Sequence, residues 1–254
     1  MQVAARWAEP SALGPWVSGL RRLVDAGERE AAGSSVLLAA RRIPALAALL
    51  TGAMTSVAHA RWDNLRALTW DPTVPARGRL GHSRLVDVID LYAPFDGTSD
   101  LVTNALARAA IESVSVDAAM EAVERSKYRT PVAEWVRWRT MPFFADDLPD
   151  DRAFDEAMDR TEVLLSVISR DSVLHQPGSE STWWARSNWY GRSTWRAKHS
   201  RINPVEQMAA ELADQQGSWG PVAAGLFGGD PARAAKALSD YDEEFRQVMR
   251  QISW

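Results

Sequence analysis

The sequence predicts an all-α protein, a multi-helix, bundle-like domain spanning residues 1–254, and three observations carry that expectation. Up to about residue 180, Ala, Leu and Arg recur at three- and four-residue spacing, the period of one helix face. Runs of β-branched residues are few. Helix-start chemistry then repeats downstream, where Asn203-Pro204 and Asp230-Pro231 each set a capping side chain before a proline at the first helical position.

The first helices are expected over 11–31 and 35–70, the second kinked at Pro44. Inside it, Ile43 to Ala58 is the longest uncharged apolar stretch, 16 residues interrupted by Pro44, Thr51 and Gly52. That is too short and too broken for a bilayer, so a buried helix is expected. Asp71 to His82 is rich in Pro and Gly and reads as a long loop, with 71–82 the one candidate sub-boundary. A short helix follows from Leu85 to Leu91, ending before Pro94. Thr98 or Ser99 would cap a helix over about 99–128, and Val132 to Thr140 gives another between Pro131 and Pro142, with Trp135 and Trp138 on one side. The carboxylates from Asp146 to Asp151 crowd a helix start, where they favour the positive end of the macrodipole, and the helix runs to about Leu174. Two last helices are expected over 204–216 and 231–251, separated by Gly217, Gly220, Gly225, Gly228 and Gly229. No strand is expected outside the segment described next, and no repeat of 30 to 45 residues is present.

Residues 181–198 read as three copies of one hexapeptide: Ser-Thr-Trp-Trp-Ala-Arg, Ser-Asn-Trp-Tyr-Gly-Arg and Ser-Thr-Trp-Arg-Ala-Lys. Six is a multiple of 2 and of 3 but not of 3.6, so an extended or polyproline-like backbone suits the repeat better than a helix. Such a backbone aligns Trp183, Trp189 and Trp195, and a three-per-turn one adds Arg186, Arg192 and Lys198 to the same edge. The expectation is a long non-helical connection over about 176–203 that carries a basic aromatic strip at 181–201. Four of the 12 tryptophans lie between 183 and 195, a density that calls for a function or a packing role.

Charge supports a localised positive strip. The net charge is −4, yet Ser181 to Val205 holds no acidic residue and carries Arg186, Arg192, Arg196, Lys198 and Arg201; setting those five aside leaves about −9 on the rest. Such asymmetry focuses an anionic partner on one place. The absence of cysteine excludes disulfides, thiolate metal sites and thiol nucleophiles. His59, His82, His175 and His199 show no metal-ligand spacing. Arg6 and Glu9 stand where an export signal would need apolar residues, so a cytoplasmic location is expected.

Three local patterns resemble catalytic families. Phe143-Phe144-Ala145-Asp146-Asp147-Leu148-Pro149-Asp150 is similar to the first magnesium-binding motif of class I terpene synthases. That resemblance implies Mg²⁺ held by Asp146, Asp147 and Asp150 against a substrate diphosphate. Pro149 departs from the motif's helical presentation, and no second Asn/Asp-Asp-x-x-Ser-x-x-x-Glu element follows. By themselves the same residues read as an acidic helix start. Arg170-x4-His175 looks like the active-site motif of helical HEPN ribonucleases, implying acid–base and charge stabilisation at an RNA phosphate and 2′-hydroxyl. Arg77 and His82 repeat the spacing in a loop. Glu121-x-x-Glu124 and Glu156-x-x-Asp159 resemble the carboxylate pairs of all-α nucleotide pyrophosphatases, a spacing that solvated helices also show.

The first functional expectation is a soluble helical binding protein engaging an anionic partner, with RNA or single-stranded DNA fitting best. Trp183, Trp189, Tyr190 and Trp195 would stack on bases while Arg186, Arg192, Arg196, Lys198 and Arg201 meet phosphate. Burial of the same tryptophans as a structural anchor is the competing reading of the strip. Two functional alternatives stand beside it: an enzyme, either the ribonuclease or the Mg²⁺-dependent diphosphate type, and an interaction subunit of a larger assembly with tryptophans as interface anchors. No cofactor is called for unless the diphosphate alternative holds, in which case it is Mg²⁺.

Overall fold

The computed structural model describes residues 1–29, 33, 35–75, 82–91, 101–125, 131–175, 189, 191–200 and 202–251. The protein is all-α, as the helical periodicity requires. In chain order the helices are α1 Gln2–Trp7, α2 Gly14–Glu28, α3 Ser35–Ala40, α4 Ile43–Ala58, α5 Trp62–Thr69, α6 Leu85–Val88, α7 Leu101–Glu112, α8 Val116–Arg125 and α9 Pro131–Thr140. They continue with α10 Asp151–Leu174, α11 Arg192–Ser200, α12 Pro204–Gln215, α13 Gly220–Ala223 and α14 Pro231–Gln251.

The long helix α10 is the axis. It packs against α4, α6, α11, α12 and α14, and every residue from Thr161 to Ser169 is buried. A helix buried around its whole circumference has no solvent face on which to place polar residues. Thr161 and Ser166 therefore return their hydroxyls to the carbonyls of Ala157 and Glu162 at 2.8 Å, and Glu162 is satisfied from another element, as shown below. The apolar stretch Ile43–Ala58 is a buried helix, Leu46, Leu49, Leu50, Ala53, Met54 and Val57 entering the core.

Several expectations are corrected by tertiary contacts. The single helix over 35–70 is three helices, and Pro44 lies in the first turn of α4, where a missing N–H costs nothing. The second break has Ala60 at φ 51° and the Arg61 amide bonded back to Ser56 O at 2.7 Å. It turns α5 so that the buried Asn64 side chain donates to Ala5 O and Ala8 O, both at 2.9 Å, satisfying the end of α1. The helix over 99–128 divides into α7 and α8 at Ser113, φ 55°. The loop over 71–82 contains an antiparallel ribbon, β1 Thr73–Pro75 paired with β2 His82–Arg84, so a strand exists outside the tryptophan strip. The ribbon is pinned by Val74, which is buried, and by Arg84, whose guanidinium lies 3.7 Å from the Trp70 ring centroid and bonds Trp70 O. The connection over 176–203 is helical from 192 to 200.

Candidate functional site

The described part of the strip is seated on α10. Trp189 is 0% exposed, and its indole N–H donates to Val86 O in α6 at 3.2 Å. At Gly191 a Cβ would collide with the Glu162 carboxylate and Leu91, so only glycine lets the backbone approach that closely. The chain then turns into α11, where the Ser193 amide donates to Glu162 Oε2 at 3.1 Å. A carboxylate on one helix thus serves a first-turn N–H that the other helix cannot bond internally.

Charge matching fixes the register of this docking. Arg192 and Arg196 are four residues apart on α11, and Asp155 and Asp159 are four apart on α10. Arg192 Nη1 lies 2.5 Å from Asp155 Oδ1, and Arg196 Nη1 lies 2.6 Å from Asp159 Oδ2. From α9, Glu134 Oε1 accepts from Arg192 Nε at 2.8 Å and Arg137 Nε donates to Asp155 at 2.6 Å. These six side chains are only 11–17% exposed, so solvent screens their pairing weakly. Burial works to raise the Asp155 carboxyl, but the Arg192 and Arg137 guanidiniums overcome it and hold it below the usual range. Burial likewise opposes the Arg192 charge, and Asp155 and Glu134 restore and exceed it.

Two carboxyls of this site, Asp159 in the lattice and Glu162 against it, shift the opposite way from Asp155. Burial and the neighbouring Glu162 charge push Asp159 up to about 8 despite Arg196. Burial pushes Glu162 up to about 7 against the bonds from Ser193. Among the described residues neither Asp159 Oδ1 nor Glu162 Oε1 meets a hydrogen-bond partner. Asp87 is a third such group; burial raises it to about 6 although Ser172 and Ser169 donate to it at 2.7 and 2.9 Å.

These three groups hold protons more tightly folded than unfolded, so their stabilising effect is present at low pH and lost as pH rises through the folded values. Stability is therefore expected to fall between about pH 5 and 8, with each titrating group adding at most about 1.4 kcal/mol per pH unit. Urea unfolding at a series of pH values checks this. Asp159→Asn and Glu162→Gln should flatten the fall, and a stability that rises over the same range would refute it.

The remaining strip residues divide. Trp195 is half-buried and stacks on the exposed His199 with ring centroids 4.2 Å apart, beside the half-buried Lys198. Trp183, Arg186, Tyr190 and Arg201 lie outside the described residues.

The other candidate residues are placed but not brought together. Arg170 Nη1 pairs with Glu244 Oε2 of α14 at 2.8 Å, whereas His175 at the end of α10 sits 3.1 Å from Asp171 Oδ1. Asp171 is fully buried and also takes a bidentate pair from Arg233 at 2.6 and 2.7 Å, so His175 is oriented by a structural ion pair. Five residues on a helix are about 140° apart, and Arg170 and His175 accordingly take different carboxylates, Glu244 and Asp171. Asp150 is the N-cap of α10, accepting from the amides of Arg152 and Ala153, which is the helix-start role of the acidic stretch. Asp147 pairs with Arg6 and lies 3.6 Å from His59, while Asp146 is exposed. These three carboxylates do not converge as a diphosphate-binding Mg²⁺ site requires. Glu156 pairs with Arg152 on its own helix while Asp159 turns to α11, so that second acidic pair is also split. Among the described residues no group of three or more His, Asp or Glu side chains is arranged to hold a metal ion, and no helix is long and apolar enough to cross a membrane.

Sequence reasoning missed Glu134, Arg137, Asp155 and Glu162. The available signal was the matching four-residue spacing of Asp155/Asp159 and Arg192/Arg196, legible only once the third hexapeptide is treated as helix. No family model, curated protein or solved structure matches the chain, so its function is read from its own geometry.

Proposed function

We propose that the protein is a helical interaction subunit that docks a protein partner on the face formed by α1 and the turn before α10. The observation that carries this reading is three large apolar side chains held out to solvent on two elements that touch: Val3 at 75%, Trp7 at 69% and Phe143 at 61% exposure. Gln2 Nε2 donates to Phe143 O at 2.6 Å and Arg6 pairs with Asp147, so both elements present one surface. The Arg6 guanidinium also sits 4.6 Å from the Trp7 ring centroid and restrains it. Tryptophan, phenylalanine and arginine are the residue types that anchor interface centres. Arg6 is already neutralised by Asp147, and Asp146 and Asp150 stand exposed nearby. The complement of this face is therefore an apolar recess on a protein, and phosphate is disfavoured.

A second reading keeps the nucleic-acid expectation on the outer side of α11. It is favoured by the Trp195–His199 stack beside Lys198, and it has lost Trp189, Arg192 and Arg196 to internal packing. One experiment separates the two. The tagged protein, isolated from its own cells with and without nuclease, is expected to retain a stoichiometric protein that nuclease does not release. The Trp7→Ala/Phe143→Ala variant should lose that protein with stability unchanged to about 0.5 kcal/mol, since both side chains are exposed. Retention that nuclease abolishes and Trp195→Ala weakens would replace the first reading with the second.

A further inference from the structure

A groove of about 600 Å³ runs along the outer seam between α12 and α14. Leu212 and Leu238 form its floor, and Ala209, Ala213 and Ala235 line its walls. The two helices bury Val205, Met208 and Leu212 against Ala234, Ala237, Leu238 and Tyr241. Beside that seam, alanines at 209 and 213 on one helix and Ala235 and Ser239 on the other repeat at four-residue spacing and are exposed. Small residues on both ridges leave the channel between the helices open.

The charge of the walls is one-sided. Pro204–Gln215 carries Glu206, Glu211 and Asp214 and no basic residue, and among the described residues the charged groups lining the groove are Glu206 and Asp242. Arg246 of the same chain bridges them, with Nη2 2.8 Å from Glu206 Oε1 and Nε 2.7 Å from Asp242 Oδ2. Arg246 and Glu206 are more than half exposed, so this clasp is wet and weakly held. An incoming cation can share or replace Arg246 at both carboxylates without uncovering a buried charge.

We infer that the α12–α14 groove binds an amphipathic helix with a basic flank, inserting apolar side chains at i, i+3/i+4 and i+7 over Leu212 and Leu238 and setting Lys or Arg against Glu206 and Asp242. This is a docking site separate from the α1 face, and it stands on the groove's own shape and charge. The chain thereby has two independent contact surfaces, as a subunit that bridges partners requires.

The test is a fluorescence-anisotropy titration with a labelled helical peptide of leucine and lysine in amphipathic spacing, against a leucine–glutamate peptide of the same pattern. The basic peptide is expected to bind and the acidic one not. Ala209→Trp and Ala235→Trp each fill the groove from an exposed position without changing charge, and should weaken binding about tenfold or more. Glu206→Gln should weaken it less and reduce its salt dependence. Ala213→Trp serves in place of either filling variant that loses its circular-dichroism signature. Equal binding of both peptides, or binding that no filling variant changes, would overturn the assignment. Trp7→Ala/Phe143→Ala should bind the peptide as wild type does, so the groove and the α1 face fail or stand separately.

Discussion

Trp189→Ala is expected to destabilise the protein by about 3–5 kcal/mol, the range for removing a fully buried aromatic side chain. The indole is 0% exposed and bonds Val86 O in α6. Its loss opens a cavity beside α10 and leaves Val86 O without its indole donor, an unmet acceptor that adds to the cost. Urea unfolding followed by circular dichroism gives the number directly. A loss under about 1 kcal/mol would mean that Trp189 is not part of the core and would return it to the exposed strip.

Arg192→Glu should cost a comparable amount, about 3–5 kcal/mol, by a different route. It removes the cation shared by Glu134 and Asp155 and sets a third carboxylate among them, close to Asp159 and Glu162. Buried like charges cannot all stay ionised, so proton uptake follows, and the defect should be larger at pH 8 than at pH 5. Arg192→Lys distinguishes charge from geometry, since it keeps the cation but cannot reach both carboxylates with a planar fork. Partial recovery with lysine is expected; full recovery would show that geometry contributes little. Either variant, used to test nucleic-acid binding, would report unfolding first, and its effect on binding has meaning only beside its stability.

The pH dependence and the arginine substitution probe the same construction from opposite sides. α11 is held by cations matched to Asp155 and Asp159 and by an amide on Glu162. Removing protons from Asp159 and Glu162 or removing the arginine cations both add uncompensated negative charge to a poorly solvated place.

Helix placement was legible wherever local rules suffice. The bounds of α9, α10, α12 and α14 follow from apolar runs, prolines and caps, and Asn203, Asp150 and Asp230 do what their positions imply: each side chain accepts from an amide two residues on. The breaks were not legible. Ala60 and Ser113 adopt positive φ with no glycine to announce it, because contacts made elsewhere, Asn64 reaching to Ala5 and Ala8 in the first case, offset the local strain.

The tryptophan segment shows the same division more sharply. Composition alone identified it as the place where the chain concentrates aromatic and basic groups, and an anchoring role was one of its readings beside a nucleic-acid and a protein partner. A six-residue period could not reveal that its third copy is helical, since the evidence lies in another helix: two aspartates at the spacing of two arginines. Local propensity and spacing act within one turn of chain, so they fix helices and caps. Ion pairing, burial and the exposure of Trp7 and Phe143 depend on residues far apart in the chain, 37 positions between Asp159 and Arg196 and 141 between Gln2 and Phe143, and only the packed structure brings those into register.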